Sequence, residues 1–118
     1  MSRLSRPGWM LVQAVFTSTL WMSAPSHADD DAIAPALAMV QEKHGIDVKK
    51  LFSTKCSWCH QGMGMKQADG PKLAGTEKTK QQVIAQISKG KSPMPGFRNQ
   101  LSDTELEALA DYIKALPK

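Results

Sequence analysis

The chain has 118 residues, 42% hydrophobic, 22% charged and only 6% aromatic, with two cysteines and a formal charge of +4. That length accommodates one small domain, and two cysteines close at most one bridge, which excludes a disulfide-built scaffold. The excess of 15 Lys and Arg over 11 Asp and Glu describes the whole chain and has to be read again once any processed segment is set aside.

Residues 1–28 have the layout of a cleavable secretory leader. Arg3 and Arg6 open it without an acid, an apolar stretch runs from Trp9 to Met22, and Ser26 and Ala28 supply the small residues of a cut after Ala28. The apolar stretch is 14 residues long and interrupted by Gln13, Thr17, Ser18 and Thr19. A spanning helix needs about 20 apolar residues, so no stable membrane span is expected. Cleavage leaves 90 residues with a formal charge of +2, and Phe52, Trp58, Phe97 and Tyr112 as their aromatics. A domain this small usually needs a disulfide, a metal or another group to complete its core.

The remaining text predicts helices and no strand. Ala32–His44 carries Ile33, Leu37 and Val40 on one stripe, with Pro35 suited to a first turn and Gly45 to a stop. Met39 on this helix is read as a packing residue. Asp47 can cap a second helix running through Val48, Leu51 and Phe52 toward Cys56. Gly62, Gly64, Gly70-Pro71 and Gly75 mark a loop. Thr79 can cap a third helix through Val83, Ile84 and Ile87, stopped near Gly90. After a Pro-rich loop, Ser102-Asp-Thr-Glu105 is a capping box opening a last helix with Leu106, Leu109, Ala110, Ile113 and Leu116 on its apolar stripe.

The segment that carries chemistry is Cys56-Ser-Trp-Cys59-His60, the C-x-x-C-H pattern of covalent haem attachment. Cysteines three apart on a helical turn face one way, so two thiols can reach the two vinyl groups of one haem. His60 follows directly and can be held under the iron as proximal ligand. A Cys56–Cys59 disulfide would leave His60 unexplained. A thioredoxin-like dithiol wants a βαβ context that this chain lacks. Zinc wants four ligands, and beyond these three only His44 and carboxylates are available. For the second iron ligand, Met63 and Met65 follow His60 too closely to cross the ring. Met94 lies in a distant loop between Pro93 and Pro95, which restrict the backbone that presents its sulfur. A methionine filling a core gap is the alternative for Met94, and His44 is the other candidate ligand.

Together these residues resemble the small monohaem class I c-type cytochromes of bacteria. The matching text is Leu51-Phe52, Cys56-x-x-Cys59-His60, Gly70-Pro71-x-Leu73-x-Gly75, Ile87-x-x-Gly90, Met94-Pro95, Leu101-Ser102-x-x-Glu105-Leu106 and Tyr112-Ile113-x-x-Leu116. The resemblance implies an all-α cytochrome c fold, three to four short helices around one covalently bound haem c, spanning residues 47–118. Residues 29–46 would form an additional N-terminal helix outside the shared pattern. It further implies that Met94 is the distal ligand, that the Pro71 carbonyl accepts a hydrogen bond from His60, and that Phe52 packs against Leu109 and Tyr112. Where many members carry a small Gly four residues before that Phe, this chain has Val48.

His-plus-Met ligation leaves no open iron position and suits electron transfer rather than catalysis, so the expected protein is a soluble periplasmic electron carrier and not an enzyme. The rival reading is a haem-based sensor or peroxidase-like site after loss of the Met ligand. Lys66, Lys72, Lys89, Lys91 and Arg98 are expected to border the haem, either as a rim that steers an acidic redox partner or as a solvated charged face, since Asp69 and Glu77 are interspersed. An exported quinoprotein dehydrogenase is the expected donor by analogy, with an oxidase or another cytochrome as acceptor. A monomer is expected, without nucleic acid.

Overall fold

The computed structural model describes residues 28–118. The expected leader, apart from Ala28, lies outside the described residues. Four α-helices and one 3-10 turn follow in order: α1 (Ala28–His44), α2 (Val48–Lys55), the turn Gly62–Gly64, α3 (Lys80–Lys89) and α4 (Asp103–Ala115). Among the described residues there is no strand, only an isolated bridge between Lys91 and Met94. The described residues are all-helical.

The caps act where their chemistry places them. The Asp47 carboxylate accepts from the Lys50 amide at 3.0 Å at the head of α2. Ser102 and Glu105 exchange bonds of 2.8 and 3.2 Å at the head of α4, closing the capping box. Thr79 and Gln82 form a second capping box on α3, with bonds of 2.9 and 3.2 Å; this reciprocal partner of Thr79 is an addition to the expected cap.

α1 departs from expectation in two respects. It starts at Ala28 rather than Ala32, so Asp29, Asp30 and Asp31 occupy its first turn, where the helix dipole favours negative charge. Pro35 therefore sits inside the helix, not in its first turn, and one backbone donor is missing there. Its exposed position keeps the ring off the core. The buried stripe is Ile33, Ala36 and Val40, and Met39 lies off it, 37% exposed, so the expected packing role for Met39 is not observed. Each residue advances about 100° around the helix, so position 39 lies about 100° from Val40, at the edge of the stripe.

α4 is the central element, touching α1, α2 and α3. Leu106, Leu109, Ala110, Tyr112 and Ile113 are all buried. Phe52 of α2 meets Tyr112 edge-on, with ring centroids 5.7 Å apart and planes at 64°, a contact worth about 0.5–1.5 kcal/mol beyond its area. Asp111, nearly buried on the same helix, gathers three side chains. Its Oδ2 accepts from Lys43 at 2.7 Å and from His44 Nε2 at 2.8 Å, and its Oδ1 pairs with Lys80 at 2.8 Å. Lys80 also reaches Glu107. Burial opposes ionisation of Asp111, but hydrogen bonds from Lys43, Lys80 and His44 outweigh it and hold the carboxyl well below the usual range. One carboxylate thus ties α1 and α3 to α4.

Candidate functional site

The site begins where α2 ends. Phe52 O accepts from the amides of both Cys56 (2.8 Å) and Ser57 (3.1 Å). Cys56 O then accepts from Cys59 N at 3.2 Å and His60 N at 2.9 Å, so the chain makes one more helical turn through the motif. Both cysteines are free and half-buried. Burial pushes the Cys56 thiol up to about 11, leaving it a neutral thiol near pH 7. Addition of S–H across a vinyl group, in which nothing leaves, is covalent chemistry open to such a thiol.

His60 is buried, and its Nδ1 lies 2.9 Å from the Pro71 carbonyl oxygen. A carbonyl only accepts, so Nδ1 carries the proton and Nε2 keeps its lone pair free for a metal. Gly70 allows the approach. Its amide donates to Cys59 O at 2.7 Å, and a Cβ there would lie 2.6 Å from His60 Cε1 and 2.8 Å from Nδ1. The imidazole therefore rests on bare backbone.

Met94 stands in the loop between α3 and α4. Lys91 N donates to Met94 O at 3.1 Å and Met94 N to Lys91 O at 2.8 Å, closing a tight turn with Ser92-Pro93 at its tip. The loop then folds back onto the end of α3, with Phe97 N bonded to Ile87 O at 2.9 Å. Gly90 (φ +71°) makes this return possible, because a Cβ there would lie 2.5 Å from Gly96 N and 2.6 Å from Met94 O.

Cys56, Cys59, His60 and Met94 all line one cavity of about 490 Å³, within the ~300–1,000 Å³ of small-molecule and cofactor sites. Phe52, Val83, Ile87, Leu109 and Ile113 give it apolar walls. Two thiols, an imidazole nitrogen and a thioether on one apolar cavity form a donor set that fits a covalently attached haem. Met63 and Met65 pack against the core and do not line the cavity. His44 faces Asp111 instead of the cavity.

The expected cationic border is only partly present. Lys72 and Lys91 line the cavity, and Lys78 joins them, with Asp69 among them. Lys66 instead pairs with Asp29 at 2.7 Å, and Lys89 and Arg98 lie off the cavity wall. Thr76, Lys78 and Gln86 are lining residues that the sequence reading did not single out. No local motif marks them; only the path of the 75–79 loop past α4 brings the first two to the wall.

Residues 46–113 match the family described as "Cytochrome C oxidase, cbb3-type, subunit III". Among similar curated proteins, cytochrome c6 of Synechococcus sp. is 29% identical over 111 residues, covering 88% of this chain and 86% of that one. Cytochrome c6 of Nostoc sp. is 34% identical over 86 residues, covering 68% and 74% respectively. Cytochrome c6 of Leptolyngbya boryana is 32% identical over 71 residues, 54% of this chain and 82% of its own. The chain belongs to this cytochrome c family and is a small monohaem class I c-type cytochrome. It is accordingly an electron-transfer protein with one covalently bound haem c, not an enzyme.

Proposed function

We propose that this chain is an exported one-electron carrier of the periplasm. Cys56 and Cys59 would hold the haem by thioethers, His60 and Met94 would ligate its iron, and the Pro71 carbonyl would orient His60. The observation that carries the assignment is the convergence of Cys56, Cys59, His60 and Met94 on one apolar cavity. The haem, when bound, supplies a ferric–ferrous couple that changes by one electron without bond making at a substrate.

The protein's contribution is to place and tune that couple. The proton on His60 Nδ1, held by Pro71 O, fixes the ring and raises the basicity of Nε2. A neutral thioether at Met94 favours ferrous iron and raises the potential. The apolar walls would keep water from the iron, which would favour the less charged state. Lys72, Lys78 and Lys91 at the cavity would steer an acidic partner, most strongly at low salt. An exported dehydrogenase of the quinoprotein kind fits as donor, and an oxidase or cytochrome as acceptor. Residues 1–28 serve as the leader, 29–46 as a helical extension and 47–118 as the cytochrome domain. With two ionised haem propionates the mature +2 falls to about zero, so attraction comes from the local rim and not from net charge.

Export into the periplasm of a bacterial host with haem-attachment machinery tests the reading. Expected are an intact mass starting at Asp29 plus one haem, colour retained in acid acetone, and a ferric thioether–iron charge-transfer band. A colourless product, or a spectrum unchanged by Met94→Ala, overturns the ligand assignment. Retention of residues 1–28 overturns the leader.

A further inference from the structure

Lys114 makes a polar contact of α4 that serves neither its caps nor the Asp111 cluster. The Lys114 ammonium, in the last turn of α4, donates to the backbone carbonyls of Thr76 at 3.1 Å and of Lys78 at 2.7 Å. Thr76 and Lys78 both line the cavity. The other bonds of this loop are local: Thr76 N to Leu73 O at 3.1 Å, and a long 3.4 Å contact from Lys78 N to Thr76 Oγ1. Among hydrogen bonds between the described residues, those of Lys114 alone join residues 75–78 to another helix.

Lys114 is exposed, and a free ammonium there would lose nothing by pointing into water. Two charge-assisted bonds to adjacent carbonyls, each about twice as strong as a neutral bond, make the folded-back position worthwhile. Both backbone acceptors are thereby satisfied by the ammonium.

We propose that Lys114 is a positioning residue for electron transfer: its ammonium fastens the Thr76–Lys78 loop to α4 and so holds one wall of the haem cavity shut against water. The inference rests on the cavity being the haem seat. Solvent around a haem stabilises the more highly charged ferric state, so a loosened wall lowers the reduction potential. The loop should also open more often, because local opening is governed by the few bonds that tie a segment down.

Haem-loaded wild type, Lys114→Met and Lys114→Arg provide the test, with two readouts. Amide exchange within residues 75–78 should be about tenfold faster in Lys114→Met and near wild type in Lys114→Arg, which can still donate to both carbonyls. The potential of Lys114→Met should fall, and the fall should persist at 1 M salt, where a Debye length of about 3 Å screens the mere loss of an exposed charge. Unchanged exchange in Lys114→Met, or a potential shift that vanishes at 1 M salt, overturns the proposal. Failure of the wild type to carry haem is a separate outcome, visible in its spectrum, and overturns the function reading instead.

Discussion

The two segments that bring donors to the cavity are held in different ways. His60 sits one helical turn beyond α2, with its own side chain hydrogen-bonded to Pro71 O at 2.9 Å and its ring against the backbone of Gly70. Met94 sits at a loop turn fixed by main-chain bonds alone, Lys91 to Met94 and Phe97 to Ile87. A donor bound by its own side chain has its direction set before any iron arrives. A donor presented by a backbone turn has its position set, while its long side chain still chooses a rotamer. His60 is thus the preorganised side, and Met94 the side that can let go without dismantling the site.

Two glycine substitutions should break the two sides separately, and these are the largest effects expected. Gly70→Ala drives a methyl to within 2.6 Å of the imidazole. The ring must leave Pro71 or the Gly70 segment must move, at an overpacking cost of about 1–3 kcal/mol. Haem per polypeptide, measured on exported protein, should fall severalfold. Gly90→Ala meets backbone atoms at 2.5 Å and adds left-handed strain. It should leave haem attached but abolish the charge-transfer band of the thioether ligand. Equal loss of attached haem in both variants would erase the distinction between the two sides.

Met94→Ala sharpens the same contrast with less damage to the fold. Covalent haem should be retained, the potential should drop, and the reduced protein should bind carbon monoxide. Poor carbon monoxide binding by this variant would mean that another group holds the distal position.

The parts of this site written in local sequence were legible, and the parts made by distant pairing were not. Asp47, Ser102 and Glu105 act within three residues of their partners, so spacing alone identifies them. Cys56 to His60 is one turn, and the same holds. Asp111, by contrast, meets Lys43 and His44 from 68 and 67 residues away, and nothing in its neighbourhood announces that. Met39 and Pro35 were misplaced for a related reason. An alanine-rich helix permits several starting points, and only packing on α4 selects the stripe through Ala36. Lys66 pairs with Asp29, which sits in a first turn that the spacing does not mark as helical, while the path of the 75–79 loop brings Lys78 to the cavity.

The Asp111 cluster lies behind the Met94 side, since it seats α3, the helix from which that loop departs. Asp111→Asn should cost about 1.5–3 kcal/mol, the range for hydrogen bonds to charged groups. The sign of its pH dependence follows from its lowered folded-state value. A carboxyl of that kind contributes its full stability above the unfolded value, about 4, and loses it as pH falls through the folded one. Wild-type stability should therefore decline below about pH 4 more steeply than that of the variant, in denaturant titrations at several pH values. Parallel pH profiles would mean that Lys43, His44 and Lys80 contribute nothing through this carboxylate.

The smallest effect belongs to the His60 side. The Tyr112 hydroxyl donates to Met63 O at 2.7 Å, joining α4 to the turn that follows His60. Met63 holds a φ of +55°, a region costly for a side chain with a Cβ, so the turn depends on outside support. Burial raises the Tyr112 hydroxyl well above its ordinary range, and the group stays a donor at any pH the fold survives. Tyr112→Phe keeps the edge-on contact with Phe52 and removes only this bond. It should lower stability by about 0.5–1.5 kcal/mol, as a shifted denaturation midpoint at unchanged slope. The Met94 charge-transfer band should be untouched, because the lost bond lies wholly on the His60 side. A weakened band in Tyr112→Phe would show that α4 transmits disturbance from one side to the other, and that the two sides are not independently held.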